Sequence, residues 1–331
     1  ERYLNRGKRS LTLDLKQPEG REAFDRLAAT ADVVVEGFRP GVAARLGVDA
    51  ARLRARFPRL VCCAITGYGQ EGPLADAAGH DLDYVAWAGV LGLNGPAGGD
   101  PVPMPVQAGD LFGGSMMALS AILMALVARQ RTGQGATIDV PMADGAMALL
   151  SIHAADFLAG GHEPARGDMV LSGMFPCYDV YPCRDGGHLA VAALEPVFWE
   201  RLVRAIGRED LLGDPFATGE DGRRVRQALC EAFATRTRDE WVAALLPIDA
   251  CVAPVLSMGE ALHHPFTRQR GMVVDVDTPF GGREPQLATP FRIDGQRPAP
   301  AGPPSPGQHD VEILSSLGYD AAAIQRMREA E

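Results

Sequence analysis

The amino-acid sequence predicts an α/β chain: a Rossmann-like large domain on a parallel sheet, followed by a smaller α+β domain. Three observations carry this. The first third alternates apolar β-type runs with helix-type segments, the pattern of repeated βα units that assemble a parallel, right-handed sheet. Residues 111–128, LFGGSMMALSAILMALVA, form an uncharged run closed by Arg129, Arg131 and Gly133, the punctuation of a core helix. Beyond about residue 176 the pattern changes to a hairpin followed by short helices. A chain of 331 residues, 47% of them hydrophobic, is long enough for two such domains.

In chain order, SLTLDL at 10–15 is strand-like, and 18–31 is helix-like with Pro18 near its start. DVVVEG at 32–37 is strand-like, 41–57 is helical with a break near Gly47, and 60–66 is the third strand. A helix follows at 81–90, a loop at 92–105, the long apolar helix, a strand at 136–140 and an apolar helix at 142–158. Residues 160–173 read as a linker. RDGG at 184–187 separates apolar runs at 177–182 and 188–194, a hairpin signal. Helices follow at 197–206, 223–234 and 238–246, and the spacings Thr237 to Glu240 and Ser257 to Glu260 match the capping box. The expected division is 1–141 with 284–331 returning to it, a linker at 142–176, a small domain at 177–261 and a second linker at 262–283. The tail 299–309, APAGPPSPGQH, is extended, and helical spacing resumes at 310–331.

A formal net charge of −10 argues against a general nucleic-acid binder, whose affinity depends on basic surface. The six cysteines lie in hydrophobic contexts without C-x-x-C spacing, which predicts buried free thiols in a reducing, cytoplasmic setting. The run 111–128 sits at the lower edge of membrane-spanning length, but its end signals favour a buried helix of a chain without a membrane partner.

TGYGQEGP at 66–73 fits G-x-G-x-x-G and raises the question of a dinucleotide site. That fingerprint needs its third glycine inside a helix packed on the preceding strand. Here Gly72 runs into Pro73, so the dinucleotide reading is disfavoured. The same loop ends in GHDLDY at 79–84, which sets His80 at a helix start as either a surface or capping histidine or a group within reach of a ligand. Asp110, in VQAGDLFGG at 106–114, is either an ordinary N-cap or, with glycines on both sides, the second member of an acid/base pair. Phosphate candidates lie in FRPGVAARLG at 38–47. Arg39 leaves a strand end and Arg45 lies in the first turns of a helix, and each is otherwise a solvated charge. Lys16, just after the first strand, is similar. Glu195, in ALEP, ends an apolar strand and is either a helix-start carboxylate or a site residue. The remaining histidines show no metal-ligand spacing.

FRPGVAARLG, TGYGQEGPLADAAGHDLDY, VQAGDLFGGSMMALSAILMALVARQRTGQG and ALEP resemble the family III CoA-transferases, and within them the α-methylacyl-CoA racemases. The likeness runs from KRSLTLDLK to the C-terminal helix, with several separated motifs in the family's order. It implies 1,1-proton transfer on a 2-methylacyl-CoA thioester, with His80 and Asp110 as the two proton-transfer groups and Glu195 against the catalytic histidine. It places Lys16, Arg39 and Arg45 at the CoA nucleotide end and Asp81 at the helix start that holds the thioester oxygen. No metal or separate cofactor is implied, since coenzyme A is part of the substrate. An interlocked homodimer is implied, with Glu195 supplied by the other chain. The rival is a true CoA-transferase in which Asp110 attacks the thioester; a histidine in GHD is the racemase-like feature. Family members carry a further strand and helix with a CoA-binding arginine ahead of the position of Glu1, so a CoA-binding fragment without activity is a third expectation.

Overall fold

The computed structural model describes residues 2–279, 281–299 and 301–329. Their contacts form two compact units, each discontinuous in sequence. The first comprises Glu1–Ala78, Gly114–Met142 and Ser257–Glu331; the second comprises Gly79–Gly113 and Ala143–Leu256. Residues 79–113, read from the sequence as part of the large domain, thus pack with the second unit.

In the first unit, β1 (Val33–Glu36), β2 (Val61–Thr66) and β3 (Thr137–Pro141) form a parallel sheet in the order β1-β2-β3. The helix Pro18–Ala28 begins with Pro at its first turn, where the missing N–H costs nothing. The helices Val42–Leu46 and Ala50–Arg56 are separated by Gly47 at φ 71°, the expected break. Ala28, Leu53, Leu60 and Cys62 form one buried cluster between these helices and the sheet, whereas Cys63 packs with Ala118 and Val140.

The strand expected at 10–15 does not form. The segment is extended, but its backbone pairs with the tail: Ser10 N–H donates to His309 Nδ1 (3.0 Å), Thr12 N–H to Asp310 Oδ1 (2.9 Å), and Ser10 accepts from His309 and Gly307. Side-chain and loop partners therefore take the bonds a neighbouring strand would have made. The expected linker 262–283 is also structured. It holds the helix Pro265–Gln269 and β7 (Val273–Asp277), which pairs antiparallel with β8 (Arg283–Leu287) around a Gly281-Gly282 turn.

Asp25 ties two helices of this unit together. Its carboxylate accepts a bidentate pair from Arg52 (2.7 and 2.6 Å) and a further bond from Arg56. The Arg52 hydrogen bonds, aided by both guanidinium charges, hold its carboxyl below the usual range against the opposing effect of burial. A lowered folded pKa contributes stability that is present above the unfolded value and lost as pH falls through the folded one. Asp25→Asn is therefore expected to cost about 1–3 kcal/mol, because the arginines are partly solvated. The deficit should appear in urea melts at neutral pH and shrink below about pH 4.

In the second unit, β4 (Tyr178–Pro182), β5 (His188–Ala192) and β6 (Val252–Pro254) form an antiparallel sheet, with β4 and β5 as the expected hairpin. The helices Pro196–Ala205, Gly219–Phe233 and Arg238–Leu245 close a core around Trp199, Leu202, Phe233 and Trp241. Both capping boxes are present: Thr237 with Glu240, and Ser257 with Glu260. Residues 142–158 are two helices, Met142–Ala148 and Ser151–Gly160, bent by 74°.

The long apolar helix departs most from expectation. It is a π-helical stretch, Ala108–Met116, continuing as the α-helix Met117–Thr132, and only 17% of its most apolar window is buried. Leu119, Leu123, Met124 and Val127 are about half exposed or more. By length and composition alone it is also the one described helix able to cross a membrane. The burial expected for this helix is not found: among the described residues most of its apolar face is uncovered. The thiols divide as well. Cys62, Cys63, Cys177 and Cys183 are buried, and burial pushes Cys63 and Cys177 up to about 11, whereas Cys251 is exposed.

Candidate functional site

The loop 66–73 carries no helix behind its glycines. Gly69 and Gly72 have φ of 93° and 106°, so the chain turns here in a way an L side chain resists. Gly69 N–H donates to Thr66 Oγ1 and Gln70 N–H to Asp139 Oδ2, both at 3.0 Å. The turn is closed on its own strand end and on β3.

His80 is the extended residue before the helix Asp81–Trp87 and is exposed. Its N–H donates to Asp83 Oδ2 at 3.0 Å, and the N–H groups of Asp83 and Tyr84 return to the His80 carbonyl, so the backbone under the imidazole is fixed from both sides. Asp110 stands in the first turn of the π-helical stretch rather than outside it as an N-cap. π-Helical turns are rare and concentrate at functional sites. The Asp110 N–H donates to Asp81 Oδ1 at 2.9 Å, which joins the two helix starts directly. Burial raises the Asp110 carboxyl above the usual range, the charge of Asp81 adds to this, and that of His80 opposes it. His80, Asp81 and Asp110 thus form one electrostatic cluster: an imidazole, and a carboxyl biased toward its protonated form.

Two close approaches set the cluster. A Cβ on Gly109 would lie 3.1 Å from Asp81 Oδ1, and one on Gly145 would lie 2.4 Å from Gly113 Cα. Sequence reading singled out the glycines around Asp110 but had no means to see Gly145 from the other side. Beyond the C-terminal end of the helix Asp81–Trp87, a largely apolar cavity of about 840 Å³ is lined by residues including Ala88, Leu93, Leu150 and Phe157.

Glu195 is the exposed N-cap of the helix Pro196–Ala205, and among the described residues no hydrogen bond or ion pair joins it to His80. Its charge acts instead on the Cys251 thiol. Lys16, Arg39 and Arg45 belong to the first unit and are exposed. Arg45 Nη1 would lie 3.5 Å from a Cβ on Gly41, the N-cap of its own helix, so the guanidinium lies over that helix start. Neither arginine has an acidic partner among the described residues.

The model of CoA-transferase family III matches residues 2–310. The chain belongs to that family. It is 36% identical to the human α-methylacyl-CoA racemase over 329 residues, covering 98% of this chain and 84% of that protein. It is 33% identical to a succinate–glutarate CoA-transferase of Agrobacterium fabrum over 320 residues, covering 95% and 79%. The crystal structure of a CAIB/BAIF family protein from Brucella suis superposes with a TM-score of 0.79 at 33% identity, covering 95% of this chain and 82% of that one. The chain is therefore a family III enzyme acting on acyl-CoA, with racemases and transferases among its relatives at similar identity.

Proposed function

We propose that this enzyme interconverts the two enantiomers of a 2-methylacyl-CoA thioester by 1,1-proton transfer. The observation that carries the reading is the Asp81 clamp: His80 precedes Asp81 in sequence and Asp110 is bonded to its side chain, so a base and an acid are held together. The thioester acidifies the α-carbon. His80 takes the α-proton, the electron pair moves into the enolate, and the negative charge collects on the thioester oxygen, beside the helix start at Asp81. Asp110, biased toward its protonated form, delivers a proton to the opposite face; the other enantiomer runs the same steps with the roles exchanged. The apolar cavity at the far end of the helix has a volume in the range of small-molecule sites and suits an acyl chain.

Each enantiomer incubated in deuterium oxide should take up α-deuterium and invert. Acyl transfer to a second carboxylic acid, with an acyl adduct on Asp110 and no α-exchange, would replace this reading by the transferase one.

Lys16, Arg39 and Arg45 are assigned to the phosphates of CoA, since exposed cations without acidic partners among the described residues are available to an anion. Arg39→Ala and Arg45→Ala should each weaken acyl-CoA binding by about 1–3 kcal/mol. Turnover at saturation should hold; a change in turnover with the Michaelis constant unaltered would contradict the assignment.

A second copy of this chain is assigned to the uncovered face of the helix Met117–Thr132, and Glu195 of that copy to contact with His80. The exposed Leu119, Leu123, Met124 and Val127 supply the apolar surface, and among the described residues no hydrogen bond or ion pair joins Glu195 to His80 within one chain, which leaves the role for another. Sedimentation should give a dimer, and Leu123→Glu a monomer without racemase activity; an active monomer would remove the assignment.

A further inference from the structure

Tyr84 lies one turn into the helix Asp81–Trp87 and is 7% exposed. Its hydroxyl reaches back out of the helix and donates to the carbonyl of Gly79 at 2.6 Å, on the residue that precedes His80. Its near end faces the other helix start. A Cβ on Gly109, the residue preceding Asp110, would fall 3.3 Å from Tyr84 Cβ and 3.5 Å from Cδ2. One rigid side chain therefore touches the backbone immediately before each proposed proton-transfer group.

We propose that Tyr84 is a positioning residue that sets the placement of His80 against Asp110: its hydroxyl anchors the histidine segment and its ring base the aspartate segment. The proposal rests on the racemase reading for its kinetic consequences, and on geometry alone for its structural ones. A phenylalanine would fill the same buried space, so packing does not call for the hydroxyl. Without that donor the Gly79 carbonyl loses its link to the helix, and His80 follows a glycine free to turn. A glycine at 109 is what lets the second segment lie on the ring, because a methyl there must push either Tyr84 or the Asp81 carboxylate aside. The two contacts act on different groups, and the reaction separates them: each enantiomer gives its α-proton to one group only.

The test uses two minimal variants of the full chain, Tyr84→Phe and Gly109→Ala, with His80→Ala and Asp110→Asn showing which enantiomer each group deprotonates. In Tyr84→Phe, α-deuterium exchange from the His80-dependent enantiomer should fall about 10-fold or more, with the other enantiomer within about 3-fold, since displacements near 1 Å have effects of this order. Gly109→Ala should reverse the asymmetry. Equal slowing of both enantiomers in both variants, as a general loss of packing would produce, overturns the proposal. Crystal structures of the same variants decide it whether or not the wild type exchanges. Tyr84→Phe should shift Gly79 and His80 with Asp110 in place, and Gly109→Ala should shift Asp110 with His80 in place. Unmoved backbones in both overturn it. If the wild type exchanges neither enantiomer, the racemase reading fails separately, and the crystal structures alone judge the positioning.

Discussion

Asp110→Asn and His80→Ala are each expected to abolish racemisation while keeping one-sided exchange, and Asp110→Asn is expected to melt at a higher temperature than the wild type. Inversion needs a base on one face of the α-carbon and an acid on the other, so removing either ends it. Loss of a general acid or base commonly costs about 10²–10⁴-fold in rate. Deuterium uptake from the enantiomer that uses the surviving group persists, which distinguishes this pair from a nucleophile, whose loss would end both exchange and transfer. The stability gain follows from the titration. Burial, with the charge of Asp81, raises the folded pKa of Asp110 above its unfolded value, so its contribution is fully present below the unfolded pKa and is lost as pH rises through the folded one. As pH rises above the unfolded pKa, the unfolded chain releases this proton more readily than the folded one, which weakens folding, and an asparagine, which keeps the backbone bond to Asp81, carries no such penalty. The melting difference should close toward about pH 3.5, where the wild-type carboxyl is protonated as well. Calorimetry across that range checks it: a variant melting below the wild type at neutral pH would mean that Asp110 is held by favourable contacts larger than its desolvation cost.

Elements whose bonds are local were legible in the sequence, and those that depend on distant partners were not. The βα order of 32–66 and the strand before Met142 follow from apolar runs with helix signals between them, and both capping boxes lie where Thr237 and Ser257 place them. Residues 10–15 have strand composition too, yet their backbone is claimed by Asp310 and His309, about 300 positions away. The short strand β6 (Val252–Pro254) had too few residues to show a period. In 111–128 apolarity predicted burial, and among the described residues most of that helix is left uncovered. The site divides in the same way. GHD and AGD mark His80 and Asp110 as residues at helix starts. The bond from Asp110 to Asp81, the π-helical turn and the Tyr84 contacts arise only when the two starts meet. Glu195 could be named but not joined to His80, because among the described residues no hydrogen bond or ion pair links the two.

The π-helical turn has a physical support on its outer side, and that support yields the last expected result. Gly145, buried in the helix Met142–Ala148, lies so close to Gly113 that an added Cβ would stand 2.4 Å from both Cα and the carbonyl oxygen. Contacts of this kind with backbone atoms are not relieved by a side-chain rotation, so the two helices must separate. Gly113 is one turn from Asp110, and Ala146 and Ala108 share the same buried cluster, so the separation is transmitted to the residue that must face the α-carbon. Gly145→Ala is expected to destabilise by about 1–3 kcal/mol, the range for overpacking a close contact. It should also lower turnover by about 10²-fold, the cost of a displacement near 1 Å at reacting groups, with acyl-CoA affinity nearly unchanged. Gly213→Ala, where the added methyl meets nothing within 4 Å, is the matched control and should be silent in both measurements. Urea melts and steady-state kinetics on the pair decide the matter. A Gly145→Ala enzyme with wild-type turnover would show that the spacing of these helices does not set the position of Asp110.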